Sequence, residues 1–192
     1  YGAERMLKAK YAVDNSAFLG DLRQQGFYVA DESRANYHVT AQSLASSLNM
    51  AHILPLGDAI GPRSTDWQPV FNLIAGNRLA RFLKAQGYRY VHIGPDWEPT
   101  ADNPHADVTY SYKGIPEFSM MLINTTAFFP VLYRLGINNA DRQKFDGVNE
   151  QLALLPSIPR GERSPKFVFI HLLVPHGPYV FNADGTYRVP EV

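Results

Sequence analysis

The chain contains no cysteine. Disulfide frameworks, thiolate zinc sites and cysteine nucleophiles are therefore excluded. Charge of one sign is missing too: Lys plus Arg number 18 and Asp plus Glu number 18, so the formal net charge is zero. Without a basic excess or a basic stripe, a nucleic-acid partner is not expected. No apolar run is long enough to cross a bilayer, and no secretory leader is legible. There is no internal repeat and no low-complexity tract. What remains is globular in balance: 192 residues, 45% hydrophobic, 12% aromatic and 19% charged. That is enough chain for one domain with a sizeable core, and its composition suits a packed, pocketed domain better than a disordered one. The sequence opens on Tyr1 and stops at Val192, soon after a strong strand and loop. Both ends read as cut.

Hydrophobic spacing predicts helices over 7–25, 40–49, 70–86, 115–135 (interrupted or kinked near Pro130) and 148–155. Asp14-Asn15-Ser16 offers an N-cap, and Gly26 a C-cap for the first helix. Strands are predicted at 27–30, 89–93 and 167–174. The last is nearly continuous in apolar residues, the pattern of a central strand buried on both faces. Segments 55–69, 94–105 and 156–165 read as loops or connectors. Helices alternating with strands imply an α/β layered fold with a mainly parallel sheet.

Two segments carry chemistry. In the first, a predicted strand leads through a polar loop to Thr40, where a helix begins. A helix N-terminus presents free N–H groups and the positive end of the dipole, so it suits phosphate or sulfate. A hydroxyl there can attack an ester's phosphorus or sulfur while the N–H groups hold the oxyanion. The plainer alternative makes Thr40 an N-cap and nothing more. In the second segment, the apolar strand carries His171 and delivers His176, Gly177, Pro178 and Tyr179 to a loop. Ligands of open parallel sheets bind beyond the carboxyl ends of the strands, which is where His176 is expected. The alternatives are a satisfied core histidine at His171 and an idle loop histidine at His176.

The run Asn36-Tyr37-x-x-Thr40-x-x-Ser43-Leu44-Ala45-Ser46-Ser47-Leu48-Asn49 resembles the nucleophile segment of membrane-associated sulfatase-like hydrolases and transferases, within the alkaline-phosphatase superfamily. The Pro175-His176-Gly177-Pro178-Tyr179 segment, and the stretch from Asp96-Trp97 to Asn103-Pro104-His105-Ala106-Asp107, resemble the same group. The resemblance implies a three-layer alkaline-phosphatase-like fold, incomplete at both ends, with 1–192 as part of one catalytic domain. It implies Thr40 as nucleophile and metal ligand, and His176 as a catalytic residue. It places Asn36, Ser43, His171 and Tyr179 around the substrate, with Trp97 and Asp107 in packing or rim roles. Threonine cannot become formylglycine, so the Thr-using phosphodiesterases, phosphoethanolamine transferases and lipoteichoic-acid-synthase-like enzymes are the nearer model. The implied cofactor is a divalent metal: Zn²⁺ first, with Mn²⁺ or Mg²⁺ as alternatives. The implied partner is a phosphate- or sulfate-ester substrate, with lipid and glycan carriers among the options. Membrane anchoring by segments outside this chain, with the domain outside the cytoplasm, belongs to the same implication. Only Thr40 of the usual primary metal ligands is present, so little activity is expected of the chain alone. The competing expectation is a glycan- or head-group-binding module on the same fold.

Overall fold

The computed structural model describes residues 4–61, 63–112, 114–115, 117–135, 140–158 and 165–189. Part of the connector expected over 156–165 lies outside them. The chain falls into two compact units, Tyr1–His38 and Val39–Val192.

In the first unit, α1 (Glu4–Tyr11) and α2 (Ser16–Gln24) replace the single helix expected over 7–25. The chain leaves helical geometry at Ala12, with φ 55°, and Asp14 accepts a hydrogen bond from the Ser16 N–H at 2.9 Å, a local turn that restarts the helix. Gly26 ends α2 as expected. With φ 87° it lets its own N–H reach the Arg23 carbonyl at 3.0 Å and that of Phe27 reach the Leu22 carbonyl at 3.0 Å. The strand expected at 27–30 does not form. Tyr28 is 92% exposed, and strand-favouring residues with no ladder partner have nothing to hold them extended.

The second unit holds a parallel sheet of β1 (Arg89–Gly94), β2 (Val108–Ser111) and β3 (Lys166–Ile170), in the order β2-β1-β3. Val91 sits opposite Val108 on one side and Val168 on the other. Among the described residues the central strand is therefore β1, not the apolar β3. Tyr90, Val91, His92 and Ile93 alternate between the faces of β1 and are all buried, whereas β3 is half-buried throughout. Periodicity reports which faces a strand buries but not whether its edges are paired, and that is why β3 was mistaken for the centre. Its Phe167 and Phe169 stack on Tyr90 and His92, with ring centres 5.0 and 5.1 Å apart.

Around the sheet lie α3 (Thr40–Asn49), α4 (Leu54–Ile60), α5 (Gln68–Ala75), α6 (Arg78–Ala85), α7 (Glu98–Ala101), α8 (Glu117–Asn124), α9 (Phe129–Arg134) and α10 (Ala140–Leu154). Helix α3 runs as expected. Its Ala41, Ala45 and Leu48 pack on Val70 and Ile74 of α5, beside Trp97 and Phe169. Buried Asn49 ties three helices together: its amide donates to the carbonyls of Ala45 (2.7 Å) and Leu73 (2.8 Å), and its oxygen accepts from the Arg78 N–H (3.0 Å).

Several helix boundaries differ from expectation. The helix predicted over 70–86 breaks at Gly76-Asn77, because Asn77 caps α6 by accepting from the Ala80 N–H at 2.8 Å. The loop expected over 55–69 contains α4, with Pro55 in its first turn, where a missing N–H costs nothing. The loop expected over 94–105 contains α7. The helix predicted over 115–135 is two helices. The interruption expected near Pro130 falls just before it, Pro130 standing in the first turn of α9, and the Thr125 and Thr126 hydroxyls donate to the Leu122 and Ile123 carbonyls at 2.7 Å, closing α8. Helix α10 begins earlier than predicted.

Candidate functional site at the carboxyl edge of the sheet

All three parallel strands end at one cavity of about 340 Å³. Pro95 and Asp96 follow β1, Tyr112 follows β2, and Leu173 and Pro178 follow β3. Met120 of α8 and Gln143, Lys144, Gly147, Val148 and Gln151 of α10 complete the wall. This is the place where the topology of an open α/β sheet puts ligands.

Helix α10 fastens the loop beyond β3. The Lys144 ammonium donates to the carbonyl of Pro178 at 3.1 Å and also to that of His176, and the Gln151 amide donates to the carbonyl of His171 at 3.0 Å. Burial lowers the Lys144 pKa, partly offset by Asp141. At the far end of the loop, Phe145 of α10 packs against the rings of Phe181 and Tyr187, at 4.8 and 5.3 Å.

Thr40 is exposed and is the first residue of α3. The N-cap is Val39, with φ −93° and ψ 130°, and its apolar side chain cannot cap. Its carbonyl accepts the first helical bond, from the Ser43 N–H at 3.0 Å. Thr40 is therefore not the capping residue that the plainer sequence alternative made it. Ser43 is half-buried one turn on, and Asn36 lies on an exposed loop in the first unit. His176 lies on the loop past β3, as expected. It is exposed, and its Nδ1–H donates to the Gly177 carbonyl at 2.7 Å. Tyr179, on the same loop, is 67% exposed. Of this loop, Pro178 lines the cavity; Thr40, Ser43, His176 and Tyr179 are not among its lining residues.

His171 is not inside the strand; it is the first residue after β3, and its N–H still reaches the Ile93 carbonyl at 3.2 Å. Its Nδ1 pairs with the Thr100 hydroxyl at 2.8 Å, and its ring meets Trp97 edge-on at 5.4 Å. Thr100 also joins His171 to a second histidine. The His92 Nε2 lies 2.8 Å from the Thr100 carbonyl. A carbonyl only accepts, so Nε2 carries the proton, and Nδ1 of the neutral ring accepts from the Tyr90 hydroxyl at 3.1 Å. Asn103 in turn donates to the Tyr90 oxygen at 3.1 Å. Burial pushes the Tyr90 pKa up to about 12, so the phenol keeps its proton. Asp107 is structural: its carboxylate accepts from the Tyr90 N–H and from Lys84, both at 2.7 Å. Trp97 packs beside the α3–α5 core.

Burial lowers the pKa of both His92 and His171. At His171 the nearby His92 adds to that effect; at His92 the Thr100 carbonyl and Asp102 oppose it. Their folded values thus lie below the unfolded value, near ~6.5. A histidine depressed in this way contributes its full stability above the unfolded pKa. As the pH falls below about 6.5 the unfolded chain takes up protons first, and stability declines until the folded values are passed. Thermal unfolding followed downward from about pH 8 should show a falling Tm, with a shallower slope in His92→Gln and in His171→Gln. A slope unchanged in both variants would mean the two rings titrate as they do in the unfolded chain.

Sequence reading missed most of the cavity. Tyr112 follows a four-residue strand too short to show a period, and Gln143 and Lys144 sit in the half of α10 that carries no apolar stripe. Among the described residues no group of three or more His, Asp or Glu side chains is placed to hold a metal ion, and no helix is long and apolar enough to cross a membrane. Comparison with protein-family models, with curated proteins and with solved structures gives no match.

Proposed function

We propose that the chain forms part of a phosphoryl- or sulfuryl-ester hydrolase or transferase of the alkaline-phosphatase type, with Thr40 as its nucleophile. The observation that carries this reading is the parallel sheet whose strands end at one edge, with the loop of His176 held there by Lys144. The exposed hydroxyl opening the ten-residue helix α3 is the second support.

In the reaction, the Thr40 oxygen forms a bond to phosphorus or sulfur. The bond to the leaving oxygen breaks, and that oxygen departs with a proton. Water or an acceptor alcohol then attacks the same atom and frees Thr40. The first N–H groups of α3 face the anion and stabilise its developing charge. His176 has its Nδ1–H directed at its own loop, so its Nε2 is the atom available to the transferred group. The described residues do not fit the divalent metal that the resemblance implies, because Thr40 has no cluster of carboxylates and imidazoles among them. A membrane-anchored protein with this domain outside the cytoplasm belongs to the same proposal, as does a phosphate- or sulfate-ester substrate on a lipid or glycan.

Inorganic phosphate titrated into the chain tests the anion site. Saturable shifts of the Thr40, Ala41 and Gln42 amide resonances are expected, weakened by added salt because the attraction is electrostatic. Phosphate shifts confined to other segments would remove α3 from the site.

A further inference from the structure

We infer that the cavity at the carboxyl edge of the sheet is a binding site for an aromatic group of up to about two rings. An engineered apolar cavity of ~150 Å³ holds benzene. The cavity here, at about 340 Å³, has room for roughly twice that. Much of its wall is carbon and sulfur: the flat rings of Pro95 and Pro178, the Met120 thioether, Val148, Leu173 and the Tyr112 ring. Aromatic faces pack on such surfaces, and a methionine sulfur favours contact with them. Gly147 makes this geometry possible, since a Cβ there would stand 3.1 Å from the Tyr112 ring.

Three polar side chains of the wall are engaged within the protein. The Gln143 oxygen accepts from the Ile115 N–H at 2.8 Å, and the Gln143 amide points at the Met120 sulfur at 3.4 Å. The Gln151 amide is held by the His171 carbonyl, and Lys144 by the loop carbonyls beside Pro178. An entering ligand therefore meets little that would hydrogen-bond it. Asp96 offsets the charge of Lys144 in the same wall, so the cavity carries no net attraction for an anion. The walls therefore select the uncharged ring of a ligand. That ring would be the leaving-group end of an aryl ester, an assignment that rests on the ester-transfer reading; the pocket itself does not.

The test uses 1-naphthol, a probe with no phosphate, titrated into the chain with methyl-labelled Met, Leu and Val. Saturable shifts are expected at Met120, Val148 and Leu173, and none at Leu48 and Val70 of the α3–α5 core. Val148→Phe fills the cavity from within. Ala140→Trp fills it from an exposed position where the fold has room to accept the ring. Each should weaken naphthol binding by at least about tenfold. No saturable shift at the cavity methyls, shifts in the α3–α5 core instead, or unchanged affinity in a folded Ala140→Trp would overturn the site. Equal affinity for 1-hexanol would overturn its aromatic character. Thr40→Ala should leave naphthol binding intact. Failure of the pocket is thus separable from failure of the ester-transfer reading, which is judged on turnover.

Discussion

Replacing Thr40 with alanine is expected to cut phosphodiester turnover by roughly three or more orders of magnitude. Removal of a nucleophile abolishes a covalent step that the other groups cannot supply. The fold should scarcely notice. Thr40 is exposed at the first helical position, and the N-cap is Val39, so the change deletes no capping bond. The stability cost should stay below about 1 kcal/mol, the usual cost of a lost cap. Steady-state rates and thermal unfolding of the same preparation separate the two effects. Turnover within about tenfold of the parent would show that Thr40 is only the start of a helix.

The largest stability effect is expected at Gly94, the last residue of β1. A Cβ placed there would stand 2.2 Å from the Thr100 carbonyl oxygen and 2.3 Å from that of Ala101. Both are backbone atoms of α7, so no side chain can swing aside. The same Thr100 carbonyl receives the His92 Nε2–H, and any displacement of α7 loosens that bond as well. Gly94→Ala should therefore destabilise the chain by about 3 kcal/mol or more, at the upper end of overpacking costs. Gly20→Ala is the natural control. It lies inside α2 with nothing within 4 Å of the new methyl, and should be neutral or stabilising by up to about 1 kcal/mol. Chemical denaturation curves measure both. Equal stability of the two variants would show that α7 can shift away from β1 at little cost.

The α/β class was legible because helical and strand periods alternate along the chain. The strand at β1, the helix at α3 and the C-cap at Gly26 followed directly from local pattern. Errors arose where a tertiary partner decides. Phe27–Ala30 has strand-favouring residues but, among the described residues, no strand to pair with. The segment ending in β3 is apolar on both faces, yet lies at the edge of the sheet among the described residues. Asn77 interrupts a helix-period run because its cap bond competes with continuation. Of the candidate residues, the sequence showed the positions of Thr40 at a helix start and His176 on the loop past β3, since each is a polar residue at a structural boundary. The rest was hidden. Lys144, Tyr112 and Gln143 reach the cavity only through the packing of α10 against the strand ends. His92, Thr100 and His171 are linked by hydrogen bonds that join residues up to 71 positions apart. No local pattern encodes such a link.

The central claim is that Thr40 takes up the transferred group. Rapid acid quench of the protein during turnover of a phosphodiester, followed by peptide mass spectrometry, tests it most directly. The account predicts a phosphoryl adduct on the Thr40 peptide that forms and decays with turnover and is absent from Thr40→Ala. Turnover with no adduct on that peptide, or with the adduct on another residue, would contradict it.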